Sequence, residues 1–122
     1  MIFRADRLAK PQTALPLEEL TPDTGWCEDP AHADYNTKVT LPHPAQHVDT
    51  MTREDDLYDL CVPMGYNDDP VVAGKGSAIF LHVAREEGTP TQGCVALAKE
   101  DLLTVLKKCD PTTRITILPP PT

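Results

Sequence analysis

Proline limits the folds open to this chain more than any other residue: thirteen occur among 122 residues, against six glycines. Each fixes φ at about −65° and removes a backbone donor, so it excludes a helix interior or the middle of a paired strand. The spacing favours short extended segments joined by fixed turns. Hydrophobic residues make up 40% of the chain, enough for one core, and aromatics only 5%, so that core must be mostly aliphatic. A single, mainly β domain over 1–122 is expected, with the Pro-Pro-Pro-Thr tail at 119–122 frayed.

Residues 1–22 read as extended chain with turns, and 23–36 (DTGWCEDPAHADYN) as a long loop holding the only tryptophan, Trp26. A short strand is predicted over Thr37–Leu41, ended by Pro42 and Pro44. A second is predicted within Leu57–Met64, with Pro63 restricting its ladder on one side. Ser77–Ala84 is nearly continuous in apolar residues, as in a strand covered on both faces. Cys94–Leu97 is a further short buried run. Leu102, Val105, Leu106 and Cys109 then fall at i, i+3, i+4 and i+7, one face of a helix of about ten residues. Glu100 and Asp101 lie in its first half, and Lys107 and Lys108 fall in its last turn, as the helix dipole favours. Arg114–Leu118 (RITIL) reads as a final strand.

The net charge of −8 and pI near 4.8 exclude nucleic acid as a partner on composition, because backbone binding needs clustered Lys and Arg. No apolar stretch is long enough to span a membrane, and the N-terminus has no signal-peptide pattern. The four cysteines, Cys27, Cys61, Cys94 and Cys109, form no C-x-x-C pair, so a zinc ribbon or a thioredoxin-type motif is not expected. His43 and His47 are spaced i, i+4, which suits a metal only on a helix, and Pro42 and Pro44 argue against one there. No metal and no cofactor are expected.

The chemistry concentrates in IFLHVAREEGTPTQGCVAL, residues 79–97. His82 lies near the end of one apolar run, and Gly93-Cys94 opens the next. A thiol at a tight glycine turn has backbone amides nearby that can hold an oxyanion, and one polar loop can bring a histidine beside it as a base. A cysteine after glycine is also a common small core residue, and a strand-end histidine is often structural, so on these residues alone both readings stay open. Trp26 is either a core plug or a wall of a ligand groove.

The run GSAIFLHVA, then TQGC, then a helix resembles the catalytic motif of the L,D-transpeptidase (YkuD-like) family. The resemblance extends through TPDTGWCEDPAHADYN, LPHPAQH, YDLCVPMGYNDDPV and RITIL, about residues 7–118. It implies a β-sandwich or barrel-like domain with one short helix near the C-terminus. It also implies cysteine acyl transfer on peptidoglycan stem peptides through a thioester, susceptibility to carbapenem-type inhibitors, and a place in the periplasm or cell envelope. Residue by residue, Cys94 resembles the nucleophile, His82 the base, and Gly93 the residue whose carbonyl orients the ring. Thr91, Gln92, Trp26 and Asn67 are the expected substrate-binding positions. Gln92 stands where the best-known members carry a second histidine, and Ala96 where many carry a polar residue. The chain also enters the family pattern part-way, so an N-terminally truncated domain is expected. Hydrolysis by the same thioester (L,D-carboxypeptidase), or a non-catalytic cell-wall-peptide-binding remnant, are the alternatives.

Overall fold

In the computed structural model, which describes residues 1–85 and 93–118, the apolar run after Ser77 forms β7 (Phe80–Val83), buried at all four positions. A strand flanks it on each side. β6 (Leu60–Pro63) runs antiparallel with Cys61 opposite His82, and β8 (Val95–Leu97) runs parallel with Ala96 opposite His82. β1 (Ile2–Phe3) pairs antiparallel with β6, and β2 (Glu18–Glu19) pairs parallel with β1. The resulting order is β2-β1-β6-β7-β8. A second sheet has the order β4-β3-β5, from β4 (Thr37–Thr40), β3 (Thr24–Cys27) and β5 (Val48–Thr50), all antiparallel. An ion pair between Lys38 on β4 and Glu18 on β2 links the two sheets. The expected mainly β architecture with one short helix near the C-terminus is what the chain adopts.

Because side chains alternate along a strand, the larger sheet sorts its residues onto two faces. Ile2, Cys61 and Phe80 face Leu20, Met51 and Trp26, and this cluster joins the two sheets. Phe3, Leu60, Leu81 and Val83 face the helix α1 (Lys99–Leu106), where Leu102 and Leu106 are fully buried. The helix therefore covers the side of the sheet away from Cys61, His82 and Phe80. Its first turn has no side-chain cap at Ala98. Lys99 instead anchors it, donating to the buried carboxylate of Asp59 at 2.8 Å, while Arg7 donates to the other oxygen at 2.9 Å.

Three expectations need correction. The segment Arg114–Leu118 is not a strand; it pairs with no strand among the described residues, and Ile115, Ile117 and Leu118 are exposed. Its composition suits a pleated surface, but a strand exists only where a partner supplies the ladder. The loop predicted over 23–36 begins with β3, the middle strand of the smaller sheet. Gly25, which reads as a turn former, is there because a Cβ would meet Leu41 Cδ2 at 2.8 Å and the Asp49 carbonyl at 3.2 Å. The helix starts earlier than its apolar spacing suggests and ends at Leu106. Cys109 lies beyond it, Lys107 is its C-cap rather than part of the last turn, and Val105 is exposed. The tail at 119–122 lies outside the described residues.

Candidate active site

Gly93 and Cys94 lead into β8, and the backbone at Gly93 has φ +97°, a region side-chain-bearing residues rarely enter. A Cβ there would also approach Ile79 Cδ1 to 3.2 Å. The turn delivers Cys94 to the β7 edge. The Phe80 amide donates to Cys94 Sγ at 3.3 Å, and the thiol donates to the Ala78 carbonyl at 3.2 Å. All four cysteines are thiols; Cys94 is half-buried.

The register decides the relation between Cys94 and His82. Ala96 lies opposite His82 on the parallel neighbour, so Cys94, two residues earlier, lies on the same face as His82 and level with Phe80. One strand spacing across and two residues along separates their Cα atoms by roughly 8 Å, within reach of a cysteine and a histidine side chain. His82 is buried, at 4% exposure. Its Nδ1 lies 2.7 Å from the Val83 carbonyl, which can only accept, so in the neutral ring Nδ1 carries the proton and Nε2 the lone pair. The carbonyl that orients the ring is thus Val83's and not Gly93's. The ring reaches the next carbonyl on its own strand, whereas Gly93 sits before the edge of β8.

Tyr58 packs edge-on against both His82 and Phe80, with ring centroids 5.7 Å apart in each case. The Arg53 guanidinium lies over the Tyr58 ring, 5.4 Å from its centre. Burial, reinforced by the nearby Cys61 and Cys94, pushes the Tyr58 phenol up to about 12, so it stays neutral at physiological pH. Burial pushes the Cys61 thiol up strongly as well, with Cys94 adding to the effect. Cys61 is therefore an inert neighbour of the more accessible Cys94.

Trp26 and Asn67 spend their polar atoms on the protein's own groups. Trp26 is buried between the sheets, edge-on to Phe80 at 4.8 Å, with its indole N–H donating to Ser77 Oγ at 3.1 Å. Asn67 spends its amide on its own loop, donating to the carbonyls of Val72 and Gly76 and accepting from the Val72 amide, each at 2.9 Å. Thr91 and Gln92 lie outside the described residues. Spacing in the sequence does not reveal Tyr58, Ala78 or Asn36, because each meets the site across strands or between sheets.

Among the described residues, one other cluster has metal-binding atoms: His32, Asp34 and His43, whose donor atoms lie within 4.8 Å of one another. The backbone amides of Asp34 and Ala45 donate to Nδ1 of His32 and His43, so in each neutral ring the proton is on Nε2. His43 Nε2 then donates to Asp34 Oδ2 at 2.8 Å. That arrangement closes the loop by hydrogen bonds, and a cation would have to displace a proton. A cleft of about 850 Å³ lies on the helix side of the larger sheet, lined by Val62, Leu81, Val105, Leu106 and Ile115. Neither Cys94 nor His82 lines it.

Residues 2–117 match the family model of the L,D-transpeptidase catalytic domain (YkuD). No curated protein and no solved structure matches the chain. No helix among the described residues is long and apolar enough to cross a membrane.

Proposed function

Since this chain belongs to the L,D-transpeptidase catalytic-domain family, we propose that it transfers acyl groups of peptidoglycan stem peptides through a thioester on Cys94, in the cell envelope. The observation that best supports this reading is that Cys94 and His82 fall on one face of the larger sheet, with Nδ1 of His82 tied to Val83 so that in the neutral ring Nε2 is the basic nitrogen.

In the first half-reaction, His82 Nε2 takes the thiol proton as Cys94 Sγ adds to the carbonyl carbon of the donor peptide. The negative charge on the former carbonyl oxygen is held by backbone amides at the Gly93–Cys94 turn, which the left-handed glycine exposes. Collapse of that intermediate breaks the C–N bond. The departing amine of the terminal D-alanine takes its proton back from His82, leaving the thioester. In the second half-reaction an acceptor amine adds to the thioester, loses a proton to His82, and regenerates the thiol. Burial of His82 keeps its ring from wandering and strengthens the polar interactions around it.

The phenol of Tyr58, held neutral, lines the same face and adds no competing anion. Substrate contacts are assigned to Thr91 and Gln92, which precede the nucleophile in sequence. Trp26 supports the site from beneath, through Phe80 and Ser77.

The test is intact-mass spectrometry after incubation with a carbapenem. Ring opening of the β-lactam by the thiol adds the whole inhibitor, so one adduct of that mass is expected on Cys94 and none on Cys94→Ala. A folded wild-type protein that takes up no adduct would overturn the reading in favour of a binding role. Incubation with purified stem tetrapeptides then separates cross-linking from trimming. Dimeric products indicate an amine acceptor, and tripeptide with free D-alanine indicates water.

A further inference from the structure

We infer that Asn36 is a positioning residue for the Cys94 thiol, acting through Ala78; the inference rests on Cys94 being the nucleophile. Asn36 is nearly fully buried at the end of the loop between β3 and β4. Its Nδ2 donates to the carbonyls of Tyr66 at 2.9 Å and Asn67 at 2.8 Å, and its Oδ1 accepts from the Ala78 amide at 3.3 Å. The Ala78 carbonyl is in turn the acceptor of the Cys94 S–H at 3.2 Å.

Ala78 would not hold that carbonyl in place unaided. Its φ is +59°, a left-handed conformation that an alanine does not choose, because its Cβ crowds the following carbonyl. The surroundings must therefore impose it. Asn36 grips the Ala78 amide, and one residue earlier Ser77 is held between the Trp26 indole and the Cys27 carbonyl, 3.3 Å from Ser77 Oγ. The smaller sheet and its loops thus fix the turn that opens β7, and this turn aims an acceptor at the nucleophile.

The chemical consequence follows from what two partners of the sulfur among the described residues favour. The Phe80 amide donates to sulfur and favours thiolate, while the Ala78 carbonyl accepts the S–H and favours thiol. Among the described residues, the other titratable or charged groups around Cys94 are His82 from β7, Cys61 from β6, and Tyr58 with Arg53 behind it. None of them touches Asn36 in the hydrogen bonds described above. Asn36 sets the balance by keeping the acceptor in place.

The experiment is the pH dependence of Cys94 alkylation by iodoacetamide, read by mass spectrometry on folded protein. Asn36→Gly keeps the left-handed backbone at that position, which has φ +61°, but removes all three side-chain bonds. Ala78 relaxes, the thiol loses its acceptor, and half-maximal alkylation moves to lower pH, with the rate below the midpoint rising about 2- to 5-fold. Asn36→Asp retains an acceptor for the Ala78 amide and places a negative charge behind it, so half-maximal alkylation moves to higher pH. A merely structural role would move both variants the same way. Profiles that coincide with wild type, or that shift in one direction together, overturn the inference. If Asn36→Gly does not fold, the direction of Asn36→Asp decides alone. Carbapenem adduct formation on the wild type is measured alongside. An adduct with unshifted variant profiles removes the positioning role only, and shifted profiles without any adduct remove the transpeptidase reading only.

Discussion

The Nδ1 of His82 lies 2.7 Å from the carbonyl of Val83, its immediate neighbour on β7. This contact fixes both the plane of the ring and the nitrogen that remains basic. It is supplied by the backbone, so no substitution at Val83 removes it while the strand persists. Val83→Ala should accordingly leave the dependence of carbapenem acylation on pH unchanged and lower only stability. His82→Gln should slow acylation by about 10²- to 10⁴-fold, measured by stopped-flow loss of the β-lactam absorbance. Equal rates in His82→Gln and wild type would remove histidine from the mechanism.

Gly93→Ala tests the turn that presents the thiol. The φ of +97° and the 3.2 Å approach to Ile79 Cδ1 both oppose a Cβ. A cost of about 1–3 kcal/mol is expected in urea unfolding, with a larger proportional loss of acylation, because the amides on either side must reorient. A Gly93→Ala variant with wild-type acylation would show that the turn's geometry is not needed.

The opposite face of the larger sheet provides a control. Leu106 is fully buried against Phe3, Leu60 and Leu81 beneath α1. Leu106→Ala should cost about 2–5 kcal/mol, visible as a lower urea midpoint. The alkylation profile of Cys94 should stay unchanged in the folded protein, because the helix and the thiol lie on different faces.

Asp59 is nearly fully buried between Arg7 and Lys99. Asp59→Asn removes the negative charge and turns one of the two acceptor oxygens into an NH2 donor, so one cation loses its acceptor, but both cations are partly exposed and water compensates them. The expected loss is about 1–3 kcal/mol, accompanied by fraying of the first turn of α1. Hydrogen exchange of the amides of Leu102 and Leu103, the first that bond back into the turn, measures that fraying directly.

Cys61 gives stability a pH dependence on the alkaline side. Its folded-state pKa is raised by burial, so above its ordinary value of 9.0 the unfolded chain loses the proton first. The folded state then binds more protons than the unfolded state, and stability falls as pH rises, by at most about 1.4 kcal/mol per pH unit. Tyr58 adds to the slope between its ordinary value of 10.0 and about 12. Below pH 9 the contribution is fully present. Cys61→Val should flatten the fall between pH 9 and 10, as measured by urea unfolding at stepped pH, and an unchanged slope would assign it elsewhere.

Much of the frame was legible in advance. The apolar run at Ser77–Ala84 indicated β7, and the spacing of Leu102 and Leu106 indicated the helix face, because burial on one side imposes a period that local sequence displays. Gly25 and RITIL show the limit. Whether a glycine turns the chain or lets two strands approach, and whether a β-prone segment becomes a strand, depends on neighbours that are distant in sequence.

What the sequence alone determined is the class of the fold, through its prolines and apolar runs, and the two side chains on which the proposed chemistry draws, Cys94 and His82. Tertiary structure decided their use. The register of β8 against β7 set both side chains on one face, Val83 rather than Gly93 became the ring's partner, and Asn36 reached across 42 residues to hold Ala78. The physical reason is that periodicity is a property of one segment, whereas a hydrogen bond between segments exists only once packing has paired them.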